Sequence, residues 1–272
     1  MTHYLKKQLI IAGIFLVIII LIIGIFYLFT LPTRGTCFDG KQNQGETGID
    51  CGGPCGPCEE PKDLIVVFQK FIPTAEDEFD LIAQTENPNR DWGIESLTYK
   101  FNLYDKNNKL INFIERKTYF LPQETDYIIE QRVSLVSVPS APTPVLDRIE
   151  LELRNISWQK LKDFEELDLI IENKNYQLID DKSQLSGNIE NKSNFDLDEI
   201  EIIGLLLSNG EIIAAGRTEI RTVLMGQTRY FEITWPYQFI EVSSFKIRAR
   251  TNVFLNDNFL KTHGTPERFK EY

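Results

Sequence analysis

A long apolar segment near the N-terminus constrains the fold of this chain more than any other feature. Leu9–Phe29 contains 21 consecutive residues without a charged side chain. As a helix rising about 1.5 Å per residue, it is long enough to cross the roughly 30 Å hydrocarbon core of a bilayer. Two lysines precede it and a single arginine follows closely, so the positive-inside rule keeps residues 1–8 in the cytoplasm and exports the rest. No small-residue cleavage site follows, and we expect an uncleaved anchor at residues 9–30.

The net charge beyond this anchor is strongly negative. The first 36 residues contain three basic and no acidic side chains, which leaves 26 Lys and Arg against 40 Asp and Glu, a net charge of −14. Such a field repels nucleic acid phosphates and anionic lipid surfaces. We therefore expect no nucleic acid partner. The lipid bilayer is contacted through Leu9 to Phe29, and the exported part is expected to bind another envelope protein or a second copy of itself.

All four cysteines fall within one short segment, at Cys37, Cys51, Cys55 and Cys58. An even, clustered set of cysteines outside the cytoplasm usually forms disulfides. The segment has too few apolar residues to hold itself together by burial, so it needs covalent or metal staples. Four cysteines allow three pairings, and the sequence does not select one. A four-cysteine zinc site is the alternative.

The last two cysteines form the tetrapeptide CGPC, which matches the active site of thioredoxin-like oxidoreductases. A reactive cysteine needs a lowered thiol pKa, usually from a helix N-terminus or a nearby cation. Here Glu59 and Glu60 follow directly, no βαβ pattern surrounds the motif and no tryptophan precedes it. Disulfide staples are therefore favoured, and a membrane-tethered thiol-disulfide oxidoreductase is the alternative function.

The cysteine segment resembles a motif of uncharacterised prokaryotic surface proteins, C-x-D-G-x-x-N-x-x-E-T-x-x-D-C-G-G-x-C-x-x-C. Every fixed position has its counterpart in residues 37–58. The resemblance implies a small extracytoplasmic spacer module and no activity. Its oxygen-bearing side chains are of the type that calcium prefers, but they equally suit turns that short polar side chains support. We favour the turns and expect no cofactor; calcium is the alternative, with Asp39, Asn43, Glu46 and Asp50 as its candidate ligands.

From Asp63 onward the sequence changes to short alternating runs. Apolar and polar residues alternate in segments such as 97–103 and 149–153, and this period of two predicts half-buried β-strands. The one predicted helix, Trp158–Leu167, occupies a connector position. The order of signals recurs about 104 residues later; for example, Asn87 corresponds to Asn191, each closing a strand at a polar turn.

Two tandem copies of one all-β domain explain this recurrence. Each copy has about seven predicted strands in a length typical of an immunoglobulin-like antiparallel β-sandwich. In copy one, a proline-rich loop is predicted at Val138–Pro144, because proline is excluded from central strands.

Copy one also contains FNLYD at Phe101–Asp105, which matches the signature of FxLYD-type or late-embryogenesis-abundant-like envelope domains. This resemblance implies a sandwich fold and an envelope location, with an asparagine turn, here at residues 87–89, before the signature strand. Copy two departs from the signature at Gly204–Ser208, so its assignment depends on the repeat.

Side chains needed for several kinds of catalysis are missing. The two histidines lie before the anchor and in the polar C-terminal tail, which excludes Ser-His and Cys-His catalysis and histidine-ligated zinc. Glu199 and Glu201 alternate with apolar residues and are predicted to face solvent. Trp158 and Trp235 are expected in the core or an interface rather than as carbohydrate platforms. We assign no catalytic residues and no binding residues.

The predicted protein is a non-enzymatic, single-pass envelope protein with a cytoplasmic N-terminus. It displays two tandem immunoglobulin-like β-sandwiches outside the membrane for scaffolding or protein binding, and a carbohydrate-binding module is the further alternative. The predicted parts are a cytoplasmic stub at 1–8, a transmembrane anchor at 9–30, a disulfide module at 37–58, sandwich one at 63–157, a linker at 158–167, sandwich two at 168–254 and a polar tail at 255–272.

Overall fold

A computed structural model of the protein describes residues 3–30, 37–75, 77–135, 145–161 and 164–263. Side chains are described for the same residues except 3–10, 27–30, 75 and 263. The predicted proline-rich loop at Val138–Pro144 lies outside the described residues. The chain divides into two compact units, residues 1–60 and residues 61–272. The first contains the N-terminal helix and the cysteines, and the second contains all the described strands.

The first unit begins with helix α1, His3–Thr30. Its described side chains, residues 11–26, are all exposed. Among the described residues, no helix is both long enough and apolar enough to cross a membrane. The anchor at Leu9–Phe29 therefore stays a prediction. From Cys37 to Glu60 the chain consists of turns and bends with one isolated β-bridge, between Gly48 and Cys51.

The second unit is made of antiparallel strands and ends in two short helices. Sandwich one contains β1 (Ile65–Ala75), β2 (Glu78–Glu86), β3 (Trp92–Tyr104), β4 (Leu110–Phe120), β5 (Thr125–Ser134) and β6 (Arg148–Lys160). Sandwich two contains β7 (Leu169–Ile179), β8 (Lys182–Asn191), β9 (Leu197–Ser208), β10 (Glu211–Val223), β11 (Thr228–Trp235) and β12 (Ser244–Arg250). The chain then forms a 3₁₀ helix (Val253–Leu255) and α2 (Asp257–His263).

The order of the strands is the same in both halves. In the first half the sheets are β1-β2-β5 and β4-β3-β6; in the second they are β7-β8-β11 and β10-β9-β12. Each strand of sandwich two thus takes the place of the strand six positions earlier. This confirms the all-β antiparallel fold, and the shared strand order agrees with the predicted repeat. Each copy has six described strands, where the sequence predicted about seven.

In each copy the two sheets bury alternate residues against each other. The inward side chains of β3 are 3% exposed or less, and those of the matching strand β9 are fully buried. They belong to two separate hydrophobic cores, one per sandwich. The period-two pattern therefore predicted the inward faces correctly, at Leu97, Tyr99, Phe101 and Leu103 in copy one and at Ile200, Ile202 and Leu206 in copy two.

A fully buried asparagine ties three segments together in copy one. Asn87 follows β2, and its Nδ2 donates hydrogen bonds to the carbonyls of Trp92 (2.7 Å) and Leu121 (2.8 Å). Its Oδ1 accepts the backbone N–H of Asn89 at 3.1 Å. One side chain thus fixes the end of β2 to the start of β3 and to the end of β4.

Copy two uses the same arrangement at the corresponding position. Asn191 is fully buried, and its Nδ2 donates to the carbonyls of Phe195 (2.8 Å) and Val223 (3.0 Å). Its Oδ1 accepts the backbone N–H of Ser193 at 3.1 Å. Buried amides are stable only when hydrogen bonded, so these asparagines are structural. We call them the two asparagine clamps.

The two sandwiches are packed together rather than strung on a linker. The outer face of sheet β1-β2-β5 lies against the outer face of sheet β10-β9-β12. The buried residues between them form a third hydrophobic cluster: Ile82 and Ile129 from sandwich one, and Ile203, Leu205, Leu207 and Ala215 from sandwich two. We call this contact the joint.

The predicted connector helix at Trp158–Leu167 is wrong. Trp158 and Lys160 continue β6 and pair with Ile94 and Trp92 of β3, and no described residue from Leu161 to Leu167 is helical. Trp158 packs against the first core and Leu161 is fully buried. Burial of these apolar side chains outweighs the weak intrinsic helix preference of so short a segment.

The predicted polar tail is also wrong over its first half. Asn256 caps α2 by accepting the backbone N–H of Phe259 at 2.9 Å, as asparagine commonly does at a helix start. Phe254, Phe259 and Leu260 are buried together with residues from sandwich one. The end of sandwich two therefore packs back onto sandwich one and extends the joint.

Candidate functional site

The four cysteines form two disulfides, Cys37–Cys55 and Cys51–Cys58. This confirms the predicted disulfides and selects one of the three possible pairings. Gly52 and Gly53 between them have positive φ angles of 76° and 55°, and a Cβ on either would collide with neighbouring chain. The two glycines of the CGG motif are thus required by the turn that brings the cysteines together.

This pairing argues against the redox interpretation of CGPC. Cys55 and Cys58 are each bonded to a different cysteine, whereas a thioredoxin-type couple exchanges electrons through one bond between them. The four-cysteine zinc site also loses its ligands, because zinc is bound by thiolates and all four sulfurs are in disulfides. Cys37, Cys55 and Glu46 lie within 4.8 Å of one another, but both sulfurs belong to the same disulfide.

The four calcium candidates hold the loop of the cysteine module. The Asp50 carboxylate accepts the backbone N–H groups of Asp39 (2.8 Å) and Gly40 (2.9 Å). Asn43 donates through Nδ2 to the Asp39 carboxylate at 3.1 Å, and its backbone N–H donates to Glu46 Oε2 at 3.0 Å. Among the described residues, the three carboxylates do not form a group within 4.8 Å. These contacts are those of the favoured turn interpretation, and calcium binding stays a prediction.

A cleft of about 440 Å³, lined by residues of both sandwiches, lies at the joint. Sandwich one contributes Tyr99 and Tyr119, and sandwich two contributes Glu199, Arg217 and Arg221. The site exists only because the two sandwiches are docked, since neither copy supplies its walls alone.

Arg250, at the end of β12, is the central side chain of this cleft. It is 6% exposed and makes an ion pair with Asp126 of β5, which is fully buried. Its Nε donates to Glu201 at 2.8 Å and its Nη2 donates to Thr118 Oγ1 at 2.9 Å. The guanidinium also lies 4.2 Å from the ring centre of Tyr119. One cation of sandwich two thus contacts β4 and β5 of sandwich one.

The neighbouring Arg248 completes a buried ion cluster. Its guanidinium lies 3.2 Å from Glu124 and 3.4 Å from Asp126. Glu201 joins the cluster through Arg250 and also pairs with Arg217 at 3.5 Å, so three carboxylates face three arginines. Exposed Glu166 lies at 3.7 Å from Arg248, at its edge. Burial of charged groups is costly unless they are paired, and each of the three carboxylates has an arginine partner.

The pKa values follow from burial and from these partners. Burial raises the pKa of Asp126 to about 6, although Arg250 lowers it, and Glu124 raises it further. Burial alone would lower the pKa of Arg250, but Asp126, Tyr119 and the nearby glutamates raise it well above its usual value. Burial raises the pKa of Tyr119 beyond its ordinary range. Arg250 therefore stays charged and Tyr119 stays neutral.

A second polar group lies where β5 meets β4. The Tyr99 hydroxyl donates to Glu130 Oε1 at 2.6 Å, and Arg116 Nε lies 3.1 Å from the same carboxylate. Burial, together with Glu130, raises the pKa of Tyr99 above its ordinary range. The tyrosine therefore acts as a hydrogen-bond donor and does not release its proton at neutral pH.

The carboxylates on β9 are held by arginines. Glu201 lies 3.5 Å from Arg217 as well as bonding Arg250, and Glu199 lies 3.8 Å from Arg221. The prediction that these glutamates face solvent is wrong for Glu201, whose side chain is 16% exposed against 49% for Glu199. The arrangement fixes charges at an interface; it does not place a nucleophile beside a base.

Trp235 is a core residue. It is 2% exposed, its Nε1 donates to the carbonyl of Ala215 at 3.1 Å, and its ring packs over Gly216, where a Cβ would lie 2.8 Å from Cζ2. A sugar cannot stack on a ring buried in this way. Trp158 likewise packs against the first core. Both tryptophans therefore take the core role that the sequence predicted.

Two segments match N-glycosylation acceptors, and the structure separates them. Asn191 of the segment Asn191-Lys192-Ser193 is fully buried as an asparagine clamp, so a glycan cannot be attached to the folded chain there. Asn155 of Asn155-Ile156-Ser157 is exposed on β6.

Sequence reasoning missed the joint and its ion cluster. One available signal is the apolar run Ile202–Leu207, in which neighbouring residues are all apolar; such a run predicts a strand buried on both faces. Another is the repeat itself, because buried Asp126 of copy one corresponds to Arg229 in copy two. An acid matched by a base in an otherwise similar turn marks a place where the copies have different surroundings.

Comparisons with known proteins assign no family to this chain. No protein-family model matches the sequence, and no curated protein matches it. Among solved structures, the crystal structure of red sea bream transglutaminase matches 68% of this chain and 29% of its own length, at 12% sequence identity and a TM-score of 0.20. The chain thus spans less than a third of that structure, and a TM-score so low carries no argument about fold or function.

Proposed function

We propose that the protein is a non-enzymatic, single-pass envelope protein that displays its two β-sandwiches outside the membrane for scaffolding or protein–protein binding. The observation that carries this proposal is the joint, where apolar sheet faces and a buried ion cluster hold the two copies together. Docking builds one extended surface from two small domains. Such a surface suits a binding role more than turnover of a small substrate.

The location follows from the N-terminal part of the chain. Leu9–Phe29 is uncharged, and Lys6 and Lys7 precede it, which favours an anchor with a cytoplasmic N-terminus. Two disulfides in the following module suit an oxidising compartment, because cytosolic thiols are kept reduced.

Two further details of the fold belong to this proposal. The order β1-β2-β5 against β4-β3-β6 is the order of an immunoglobulin-like sandwich that lacks its last strand. The asparagine clamps lie in the turn before β3 and before β9, where the FxLYD resemblance expects an asparagine. Both observations support assignment of the two copies to FxLYD-type domains.

The alternatives lose support. A thiol-disulfide oxidoreductase would need Cys55 and Cys58 as one couple, and they belong to separate bonds. A carbohydrate-binding module would need an exposed aromatic platform, and Trp235 is buried.

The proposed orientation in the membrane is tested in intact host cells. The full chain carries one epitope tag at each end, and external protease is expected to remove the C-terminal tag while leaving the N-terminal one. A C-terminal tag that resists protease in intact cells would contradict the proposed orientation.

Crosslinking in the same membranes then tests the binding role. We expect residues 61–272 to crosslink reproducibly to a small set of envelope proteins or to a second copy. An unrelated protein with a similar anchor, expressed at equal abundance, is the control. If its crosslinks are as numerous and as varied as those of the full chain, the binding role is wrong.

A further inference from the structure

One side of sandwich two has a gap beside its outermost strand, β12. Strand β12 pairs only with β9, and β7 pairs only with β8, so each has one edge without a strand partner among the described residues. Two cavities of about 530 and 310 Å³ lie along this side and share the lining residues Lys174 and Phe245. Between them they are lined by every residue from Val242 to Arg248. The gap therefore runs along the free edge of β12.

The corresponding side of sandwich one is bridged. There the unpaired edges of β1 and β6 lie next to each other, and Gln69 Oε1 of β1 accepts the backbone N–H of Leu151 in β6 at 2.6 Å. A side chain thus takes up a backbone group that an additional strand would otherwise bond. In the described part of sandwich two, no side chain bonds the backbone of β12 in this way, so its edge keeps its backbone groups for such a strand.

The walls of the gap are apolar at the base. Phe245 and Ile247 of β12 are half-buried and pack against the second core, and Ile203 and Leu205 of β9 line the larger cavity. Tyr127 of sandwich one lines it as well. A segment lying here would cover apolar surface on alternate side chains while its backbone paired with β12, the usual chemistry of strand addition.

The charges around the gap are of one sign. The described residues that line the larger cavity include Lys174, Lys246 and Arg248 and no carboxylate. Arg248 is engaged by the buried ion cluster, but Lys174 and Lys246 are exposed and, in the described part of the chain, take part in no ion pair. On a chain whose exported part has a net charge of −14, this is a locally positive groove.

The charges and the apolar lining of the gap favour one kind of bound segment over another. A second copy of β12 would bring Lys246 and Arg248 against the same cations, and like charges across strands repel. An extended segment that alternates apolar residues with Asp or Glu would satisfy the backbone, the apolar base and the lysines together. We infer that the gap beside β12 receives an acidic, apolar-alternating segment of a partner protein, which pairs with β12 as an additional strand of sandwich two.

This inference rests on the proposed binding function and names its site. It is tested with the full chain and synthetic peptides of about nine residues, longer than the usual strand, in which Val, Ile or Phe alternates with Glu or Thr. The same peptides with Lys in place of Glu are the charge control. The variant Lys174→Glu with Lys246→Glu reverses the two free cations, and Lys106→Glu with Lys109→Glu, in the β3–β4 turn, is a matched double reversal elsewhere.

Acidic peptides are expected to bind the native chain, and the Lys174→Glu, Lys246→Glu variant should weaken binding about tenfold, since two charge pairs become two repulsions. The control reversal should leave binding unchanged. Hydrogen exchange should slow in the backbone amides of β12 and not in those of β6, an effect that general electrostatic attraction would not produce.

Three outcomes would overturn the inference. Binding that is equal for acidic and lysine peptides, or that protects β6 or another strand instead, would move the site while leaving the binding function intact. Absence of peptide binding, with reproducible crosslinks at another surface of residues 61–272, would do the same. Absence of both peptide binding and specific crosslinks would remove the proposed function as well.

Discussion

The two sandwiches share their inner faces and differ in their outer ones. The cross-strand pair Ile82–Ile129 on the outer face of sandwich one is buried in the joint. The pair at the same place in sandwich two is Ser186–Glu232, and Glu232 is exposed. The position of Ile129 is thus apolar where a second sandwich covers it, and its counterpart Glu232 is charged where solvent covers it.

The opposite sheets show the same contrast. The outer face of β9 carries Ile203, Leu205 and Leu207, which lie in the joint; the equivalent positions of β3 are Lys100, Asn102 and Tyr104. The difference teaches that a repeat can keep one core and one clamp in both copies while its outer faces diverge, so that one pair of faces becomes suited to docking.

Two arginines at equivalent positions show the same contrast between the copies. Arg154 of β6 pairs with Thr98, and Arg250 of β12 pairs with Glu201, at matching places in the two sheets. The Arg154 side chain is 51% exposed and lies beside Glu152 at the surface. Arg250 is buried among three carboxylates from both copies. Their effects on stability should therefore be very different.

The largest effect is expected for Arg250→Met. Removal of this cation leaves Asp126, Glu124 and Glu201 buried without their main partner, and the free energy of unfolding should fall by about 3–5 kcal/mol. Arg154→Met should change it by less than about 0.5 kcal/mol, as exposed ion pairs usually do. Denaturant unfolding followed by tryptophan fluorescence measures both, since all three tryptophans lie in residues 61–272. Equal effects of the two variants would show that the joint does not depend on the cluster.

A smaller effect, equal in both copies, is expected at the asparagine clamps. Asn87→Ala and Asn191→Ala each remove hydrogen bonds to two carbonyls and should lower the free energy of unfolding by about 2–3 kcal/mol. Asn107→Ala, in the exposed β3–β4 turn, is the control and should have almost no effect. The same unfolding assay compares the three variants. If only one of the two clamp substitutions lowers the free energy of unfolding, the two asparagine clamps are not equivalent.

The smallest effect is a pH dependence that belongs to the joint. An acid whose pKa is higher in the folded state binds its proton more tightly when folded, so the Asp126 pKa of about 6 makes the protein more stable as pH falls through that value. The gain is complete below the unfolded pKa of about 3.9. Between pH 7.5 and 5.5 the free energy of unfolding should rise by about 1 kcal/mol.

Asp126→Asn provides the control for this pH profile. The variant has no carboxyl to titrate at this place, and the rise between pH 7.5 and 5.5 should shrink. Asp80, whose pKa burial also raises to about 6 despite its bond from the Arg132 backbone, contributes with the same sign and should keep part of the rise. A profile that is identical in the variant and the native chain would place the titration elsewhere.

The sequence predicted what is local and periodic. The period of two marked the inward faces of β3 and β9, and the repeat of turn signals found Asn87 and Asn191 before their roles were visible. Clustered cysteines predicted disulfides, because the number and spacing of the cysteines are read directly from the sequence. These features require no knowledge of what lies on the other side of a sheet.

The predictions that were wrong, or that were missed, concern residues whose surroundings depend on contacts between distant segments. Trp158–Leu167 was interpreted as a helix because charged and apolar residues mix there, but Trp158 and Leu161 are buried against different parts of the fold. In the sequence of β12, Arg250 alternates with apolar residues as a solvent-exposed side chain would. Its burial against Asp126 becomes visible only when β5 of the other sandwich is docked onto this face. Alternation indicates that two faces differ; it does not say what covers the second one.

The crossed pairing of the cysteines has a mechanical consequence. Because Cys37 is bonded to Cys55, a pull along the chain is transmitted through sulfur past the 18-residue separation between them. The bypassed loop, which would otherwise lengthen by roughly 60 Å when drawn out, bears no tension. Only reducing agents could release that slack, so the extended length of this segment is set by redox state and not by force.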